Sequence, residues 1–379
     1  VTAHPIVLDD SGLAGCTVST SAFQSAFRDL SGDGRLDLIV GAIETCGDPR
    51  APGGLPGLGW LEQPETLDTP WTYHRIGDIL PDMVIAVELA DLDGDGDLDG
   101  VVSNLGDDSI SIVTGNGDGT FEARIRTINT GLGTTATVIA DLTGDAAADI
   151  VTANSAARSL TLLVNDGNGN FPSRGRTLRL AGNPNGGTAA DLDNDGDLDL
   201  IAAIGDRRNC AILLNEDDGS FARPTYYPVD QAGVYSVSAV DFNRDGFLDL
   251  VTANEGSGSV TIMLGNGDGT FRAPTSYSAG RNAGPRVALP GDLDGDGDLD
   301  LYDTRYHRGD HQASPPLPYH DAHNGAENHF WRNDGQRGFQ DQTAQAGFSE
   351  GNDRYSLAAI WHDLDGDGDL DLYVTNDFG

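Results

Sequence analysis

Short apolar runs rich in β-branched residues alternate along the chain with polar, glycine-rich segments, which predicts β-strands joined by turns. One unit reads as residues 134–142 (TTATVIADL), a polar loop, residues 148–154 (ADIVTAN), residues 159–167 (SLTLLVNDG) and a fourth strand beginning near Phe171. The first two runs are almost continuously apolar, which favours strands buried on both faces, whereas the last two alternate more. Each unit therefore predicts four antiparallel strands.

An acidic motif separates the first two strands of every unit, and it recurs seven times with start-to-start steps of 62, 50, 50, 50, 51 and 71 residues. Four strands in about 50 residues are typical of a propeller blade. The repeat runs from end to end, and neither end shows a polar capping repeat. We therefore predict an all-β fold, a seven-bladed β-propeller that occupies residues 1–379 as one domain.

The motif has the composition of a loop that binds a hard cation. The copy at 191–199 (DLDNDGDLD) has aspartates at positions 1, 3, 5 and 9, a glycine at position 6 and a backbone carbonyl available at position 7. Calcium prefers six to eight oxygen ligands of this kind. A metal-free acidic turn is the alternative, but carboxylates this close repel one another unless a cation neutralises them. The loop is not an EF-hand, because its last acid comes early and its flanks predict strands.

We predict that calcium binds between strands 1 and 2 of each blade, six or seven ions in all. The ligands are the side chains at positions 1, 3, 5 and 9 and the backbone carbonyl at position 7. They are Asp29, Ser31, Asp33, Arg35 and Asp37; Asp91, Asp93, Asp95, Asp97 and Asp99; Asp141, Thr143, Asp145, Ala147 and Asp149; Asp191, Asp193, Asp195, Asp197 and Asp199; Asp241, Asn243, Asp245, Phe247 and Asp249; Asp292, Asp294, Asp296, Asp298 and Asp300; and Asp363, Asp365, Asp367, Asp369 and Asp371. The occupancy of the third loop stays open, because Ala146 replaces the turn glycine and a non-glycine residue at positive φ is costly.

The motif resembles the FG-GAP/VCBS repeats of integrin-α-like β-propellers. The resemblance extends to a second signature, GNGDGTF, at 115–121 and 265–271, with weaker forms at 166–171 and 217–221. Residues 328–379 look more like the cartilage acidic protein family. The resemblance implies a calcium-stabilised extracellular module for binding or adhesion, with a glycan or protein recognised on the face opposite the calcium loops.

The charge of the chain restricts its partners and its location. The formal net charge is −38, so nucleic acid is excluded as a natural partner because phosphate binding needs clustered basic residues. No apolar run reaches 18 residues, so we predict no membrane span. Such acidity suits a calcium-rich exterior, and we expect a secreted protein that is extracellular, periplasmic or held at the cell surface.

The ends of the sequence predict how the ring closes. We expect residues 1–10 to supply the outer strand of the last blade, which begins near Tyr355 and lacks a third strand. Three interpretations remain: a three-stranded blade, a chain that is a fragment, or a partner strand that completes the blade. The fragment is favoured, because the resemblance stops in mid-repeat.

Two insertions account for the long steps, one at 41–59 and one at 303–327, and both fall between strands 2 and 3, on the face opposite the calcium loops. The second insertion and its flank hold five histidines that we consider candidate ligands for one transition metal. They are His307, His311, His320, His323 and His329. The alternative is a polar surface loop whose histidines only form hydrogen bonds.

Three cysteines are present. Cys16 precedes the first inner strand and Cys46 lies in the first insertion, so both fall on the same face of one blade. A disulfide between them would suit a secreted protein, although two unrelated thiols are nearly as good an interpretation. Cys210 reads as a buried strand residue without a partner.

Three functions fit these observations. The leading one is a non-catalytic binding module, because no nucleophile–base pair is visible and the catalytic residues are unknown. The alternatives are a metal-dependent carbohydrate-active enzyme of the polysaccharide lyase or sugar dehydratase type, which uses the histidine-rich insertion, and a structural subunit assembled by strand complementation.

Overall fold

The structure is a computed structural model. It describes residues 8–9, 16–20, 26–46, 55–65, 69–78, 84–172, 174–216, 218–229, 233–278, 284–293, 296–305, 326–334, 339–349, 355–364, 368 and 370–377. These ranges contain strands and turns and no helix, so the predicted all-β class is correct. The strands form seven sheets within the same ranges, and each sheet contains one copy of the acidic motif.

The first sheet has six strands instead of the predicted four. They are β1 (Leu8–Asp9), β2 (Cys16–Thr20), β3 (Ala26–Arg28), β4 (Asp37–Cys46), β5 (Leu55–Glu62) and β6 (Trp71–Asp78). β1 pairs in parallel with Trp71 and Thr72 of β6. The expectation that residues 1–10 complete the last blade is therefore wrong for Leu8 and Asp9, and the other eight lie outside the described residues.

The next four sheets are regular, and each contains four antiparallel strands in chain order. The second sheet contains β7 (Val84–Ala90), β8 (Asp99–Asn104), β9 (Ser109–Val113) and β10 (Arg126–Asn129). The third contains β11 (Thr134–Ala140), β12 (Asp149–Asn154), β13 (Ser159–Leu163) and β14 (Arg176–Arg179). The fourth contains β15 (Pro184–Ala190), β16 (Asp199–Ile204), β17 (Asn209–Leu213) and β18 (Thr225–Pro228). The fifth contains β19 (Val234–Val240), β20 (Asp249–Asn254), β21 (Ser259–Met263) and β22 (Thr275–Ser278).

The last two sheets flank the second insertion. The sixth contains β23 (Pro285–Gly291), β24 (Asp300–Arg305), β25 (His329–Asn333) and β26 (Phe339–Asp341), and the seventh contains β27 (Tyr355–His362) and β28 (Asp371–Asp377). Of the insertion itself, residues 306–325 lie outside the described residues. No third strand pairs with β28 among the described residues.

The apolar runs bury their side chains between neighbouring sheets. The second strand of each regular sheet is buried along its whole length, which agrees with its continuous apolar pattern. One core cluster joins Leu160 of the third sheet to Leu200 of the fourth, and the other clusters join further consecutive sheets in the same way. Another cluster contains Trp71 of the first sheet and Tyr373 of the seventh, so the first and last sheets share apolar contacts.

The fourth strand of the third sheet begins later than the sequence suggests. β14 starts at Arg176, and Phe171 instead ends the turn before it. The ring of Phe171 is buried in the cluster between the second and third sheets, with Leu92 and Ile150. An aromatic residue at the end of a turn is therefore a contact between sheets, and its apolar character does not mark the start of a strand.

Candidate metal centre

The acidic motif forms a tight loop between β3 and β4 in the first sheet and between the first and second strands in each of the other six sheets. In the second sheet Gly94 N donates to Asp91 Oδ1 (2.8 Å), Gly96 N donates to Asp91 Oδ2 (3.0 Å) and Asp97 N donates to Asp95 Oδ1 (2.9 Å). The carboxylates at positions 1 and 5 thus satisfy the backbone donors of the turn. Gly96 has φ +94°, a conformation that glycine adopts without strain.

The aspartate at position 9 anchors the loop to the sheet. In the second sheet Asp99 Oδ2 accepts from Leu92 N (2.9 Å) and Asp99 Oδ1 accepts from Gly115 N (2.9 Å), at the end of the third strand. The first of these bonds recurs in all seven loops, and the second recurs in the first six sheets. The position 9 aspartate, which the sequence predicts as a metal ligand, therefore also joins the loop to the third strand by hydrogen bonds.

An amide side chain after the third strand links each of several loops to the preceding sheet. Asn165 Nδ2 donates to the Leu92 carbonyl (2.7 Å), and Asn215 Nδ2 donates to the Leu142 carbonyl (2.9 Å). Gln63 of the first sheet makes the same bond to the Leu364 carbonyl of the seventh (2.6 Å). The sequence analysis missed these residues. The signal was present in the Asn that precedes the second glycine-rich turn (VNDG, LNED).

Among the described residues, two loops bring three carboxylates together. Oxygen atoms of Asp91, Asp93 and Asp99 lie within 4.8 Å of one another, as do those of Asp191, Asp193 and Asp195. Hydrogen bonds do not satisfy all of these oxygens. Among the described side chains, Asp191 Oδ1, Asp193 Oδ1 and Asp292 Oδ1 are buried without a partner. Buried polar atoms are normally paired, so these oxygens fit a cation that sits between positions 1 and 3.

The electrostatics of both loops disfavour carboxylates without a cation. Burial raises the pKa of Asp99 and of Asp199 to about 6, against the hydrogen bonds from backbone N–H groups, and the acids at positions 3 and 5 raise it further. The pKa of Asp93 is also raised, first by desolvation and then by the charge of Asp95. A divalent cation would reverse this balance by favouring the charged forms.

The other loops contain fewer free carboxylates. Ser31 and Thr143 occupy position 3 and still offer one hydroxyl oxygen each, and a hydrogen bond from each hydroxyl favours the charged form of the position 9 aspartate of its loop, Asp37 or Asp149. Arginines approach acids of the first, fifth and sixth loops. The Arg35 guanidinium contacts the Asp33 carboxylate, Arg272 lies 3.7 Å from Asp245, and Arg332 lies 3.2 Å from Asp296. These cations already neutralise part of the charge, so among the loops that are described in full, those at 91–99 and 191–199 keep the most carboxylate charge that is not neutralised.

Ala146, at position 6 of the third loop, adopts φ +69°. It still donates from its N–H to Asp141 Oδ2 (2.8 Å), so the loop keeps the hydrogen bonds of its neighbours. The predicted strain is present, and the loop tolerates it. In the last two loops Asp294, Asp365, Asp367 and Asp369 lie outside the described residues.

Only one of the five candidate histidines can be placed. His307, His311, His320 and His323 lie outside the described residues. His329 begins β25, and its Nδ1 lies 2.9 Å from Asp341 Oδ2, a close ion-pair distance at which the geometry of a hydrogen bond is not met. Burial and the charge of Arg305 lower the pKa of His329.

A family model described as an FG-GAP-like repeat matches residues 91–152, 141–202, 191–252 and 241–302, which together cover more than half of the chain. The chain belongs to the FG-GAP-like repeat family. The predicted resemblance to FG-GAP β-propellers is thereby confirmed, and the link to the cartilage acidic protein family stays a prediction. A search of curated proteins found no significant match.

Two solved structures support the same fold. An Agrocybe aegerita lectin that specifically recognises non-reducing terminal N-acetylglucosamine is similar with a TM-score of 0.53 and 17% identity, over 94% of this chain and 85% of the lectin. A protein from Lactobacillus plantarum is similar with a TM-score of 0.55 and 14% identity, over 84% of this chain and 82% of that protein. At these identities the likeness concerns the fold alone.

The described ranges contain no helix of the length and hydrophobicity needed to cross a membrane.

Proposed function

We propose that this FG-GAP-like protein is a calcium-stabilised, seven-bladed β-propeller that acts outside the cell as a glycan-binding module. The observation that carries the calcium part is the set of buried, unpartnered oxygens of Asp191, Asp193 and Asp292, because a buried carboxylate oxygen without a hydrogen-bond partner fits a bound cation. Loops 91–99 and 191–199 would hold the tightest ions, through the carboxylates at positions 1, 3 and 9 in the first of them and at positions 1, 3 and 5 in the second. The bound ion would neutralise these carboxylates and hold the loop rigid.

The contact between the first and seventh sheets supports a closed ring. The bond from Gln63 to the Leu364 carbonyl repeats, across this junction, the one from Asn165 to the Leu92 carbonyl. A linear stack of sheets would leave its two ends apart, and this bond would not form. In a closed ring of seven blades, the amide bond between one sheet and the loop of the preceding sheet can form at every junction, including the one between the first and last sheets.

The rim opposite the metal loops is our candidate glycan surface. It consists of the turns between second and third strands, and hydrogen bonds join them to the connections that enter the next sheet. Asp206 Oδ1 accepts from Asn183 N (2.7 Å), and Arg158 Nε donates to Asn183 Oδ1 (2.8 Å). Arg207 and Arg208 of the same turn are exposed. Rigid loops with exposed polar side chains suit carbohydrate recognition, and the similarity of the N-acetylglucosamine-binding lectin over nearly the whole chain favours this ligand class.

A glycan array that includes terminal N-acetylglucosamine structures tests the glycan part. We expect the calcium-loaded protein to bind at least one glycan class, and the double variant R207A/R208A to bind at least tenfold more weakly. R124A is the matched control, because Arg124 is exposed beside the second turn of the second sheet, on the side of the metal loops. Absence of all glycan binding would overturn the glycan part. If R124A loses as much glycan binding as R207A/R208A, the assignment of the glycan site to this rim is overturned.

Elemental analysis after exhaustive dialysis tests the calcium part separately. We expect seven calcium ions per chain if every loop is filled, six if only the third loop is empty, and two if only the loops at 91–99 and 191–199 are filled. A calcium content near zero, with an unchanged melting curve in excess EGTA, would show that the loops are metal-free turns.

A second candidate function is metal-dependent catalysis beside the second insertion. The observation that favours it is the pair of His329 Nδ1 and Asp341 Oδ2, since a carboxylate behind an imidazole commonly orients a metal ligand or a general base. About one equivalent of zinc, copper, iron or manganese in the same elemental analysis would favour this function. If this transition metal is absent from the double variant H307A/H311A, the metal is assigned to the histidine-rich segment.

A further inference from the structure

The first sheet carries an extension that the regular sheets lack. β4 is ten residues long, whereas the second strands of the second to sixth sheets are six residues long. The additional residues pair with β2, from Thr20 opposite Ala42 to Cys16 opposite Cys46. They also pair with the start of β5, from Ala42 opposite Gly57 to Glu44 opposite Leu55. The part of the first insertion that is described is therefore a three-stranded extension of the sheet.

The register of this extension brings two of the three cysteines together. Cys16 and Cys46 are direct partners in an antiparallel pair, at the first residue of β2 and the last residue of β4. Residues directly opposite in such a pair have Cα atoms about 4.5–5.5 Å apart. Disulfides span Cα separations of about 4.4–6.8 Å. The backbone register alone thus meets the distance requirement, and a shift of one residue would remove the pairing of the two cysteines.

We propose that Cys16 and Cys46 form a disulfide that closes the outer end of this extension. The bond would form by thiol–disulfide exchange with a disulfide oxidant of an oxidising compartment. One cysteine thiolate attacks the oxidant and releases its first thiol, and the second cysteine thiolate then displaces the other. The oxidant is reduced to two thiols, and the protein loses two protons and two electrons.

The disulfide would enclose the first acidic loop, residues 29–37, within a covalent ring that runs from Cys16 to Cys46. Ser31 and the contact between Arg35 and Asp33 leave that loop with fewer free carboxylates than the loops at 91–99 and 191–199. A covalent link that restricts the unfolded chain would stabilise the first sheet by a means independent of the metal.

Cys210 provides an internal control. It lies on β17 opposite Tyr227 and is fully buried as a free thiol. Burial raises the pKa of its thiol to about 12, so little thiolate forms at neutral pH. It should stay reduced under conditions in which Cys16 and Cys46 are oxidised.

Thiol counting on the full chain tests the proposal. The protein is incubated with oxidised glutathione, denatured, alkylated with iodoacetamide with or without prior reduction, and digested for mass spectrometry. We expect one alkylated cysteine, Cys210, without reduction and three after reduction, together with a cross-linked peptide that contains Cys16 and Cys46. Three alkylated cysteines without reduction, or a cross-link that involves Cys210, would overturn the proposal.

The melting temperature gives a second readout. Reduction should lower Tm of the wild-type protein by roughly 2–5 °C, because the covalent ring is opened. Reduction should leave Tm of the double variant C16A/C46A unchanged, and C210A should respond to reduction as the wild type does. If reduction lowers Tm equally in C16A/C46A and in the wild type, the stabilising disulfide is contradicted.

Discussion

The second and third sheets have the same backbone but differ in the chemistry of their loops. The loop at 91–99 reads DLDGDGDLD and the loop at 141–149 reads DLTGDAAAD. The hydrogen bonds of the two turns correspond: Gly94 N to Asp91 Oδ1 and Gly144 N to Asp141 Oδ1 both measure 2.8 Å. Yet oxygens of Asp91, Asp93 and Asp99 come within 4.8 Å of one another, and no such group is found in the third loop, all of which is described.

This comparison separates what the turn needs from what a metal needs. The third loop folds with acids at positions 1, 5 and 9 only, so the aspartate at position 3 is unnecessary for the turn. In the second loop that aspartate adds a desolvated charge, and the pKa of Asp93 is raised accordingly. Asp93 Oδ1 accepts one hydrogen bond from Asp95 N (3.3 Å), and this only partly offsets the cost of its desolvated charge, which the proposed cation would remove.

Removal of calcium should have the largest effect and should test the comparison as a whole. A site with calcium at about 100 times its Kd contributes about 2.7 kcal/mol, so several sites together should lower Tm markedly when EGTA is added. Differential scanning calorimetry with and without EGTA measures this. An unchanged Tm would contradict the conclusion that the additional carboxylates of the second loop bind a cation.

Glu88 on β7 is a second difference between the two sheets, since Val138 occupies the corresponding place on β11. Burial raises the pKa of Glu88 to about 7, and the charge of Arg28 only partly opposes this. The folded pKa lies above the unfolded value of 4.5, so the unfavourable contribution of Glu88 to stability is absent below about pH 4.5 and grows as the pH rises to about 7.

The variant E88Q removes this titration. E88Q should therefore become more stable than wild type as the pH rises from about 4.5 to about 7. The difference in the free energy of unfolding should reach about 2 kcal/mol at pH 8. This is less than the full pKa shift of Glu88 implies, because solvent screens a side chain that is only partly buried. Urea unfolding at constant calcium from pH 5 to pH 8 measures the difference. The exposed Glu122→Gln should show no such trend, and a constant difference for E88Q would contradict the pKa shift.

Exchange of position 3 between the two loops sharpens the comparison further. D93T should weaken calcium binding at the second loop at least tenfold, or about 1.4 kcal/mol, because it removes one charged ligand. In EGTA the same variant should be as stable as wild type or more stable, because repulsion is relieved. T143D should show the opposite changes in the third loop. Isothermal titration calorimetry and melting curves in both conditions report the sign, and destabilisation by D93T in EGTA would mean that Asp93 serves the fold.

The smallest expected effect concerns position 6. A146G should stabilise the protein by about 1 kcal/mol, because alanine at φ +69° costs about 1–2 kcal/mol and part of this gain is lost to the greater freedom of glycine in the unfolded chain. G96A is the matched control. A Cβ at Gly96 meets no atom within 4 Å, so its destabilisation would report backbone strain alone. Chemical denaturation in EGTA measures both variants, and a destabilising A146G would indicate that strain is not the cost at this position.

The sequence predicted most of the repeated structure because strand, loop and turn signals are local. Period-2 and continuous apolar runs determined the strands of the regular sheets, and the spacing of aspartates determined the loops. The predictions were weaker where partners are distant in the chain. Nothing in the sequence of β1 specifies that Leu8 pairs with Trp71, and Phe171 looks like a strand start until its place between two sheets is known.

The sequence by itself determined the family, the seven acidic loops and the all-β fold, because each depends on residues that lie close together in the chain. Only the tertiary structure decided which oxygens of those loops are left without partners, which amide side chains join one sheet to the next, and that Gln63 reaches Leu364 from the other end of the chain. It also decided that Cys16 faces Cys46 in register. These features depend on the packing of sheets against one another, and a local pattern carries no information about which distant backbone group will lie opposite a given side chain.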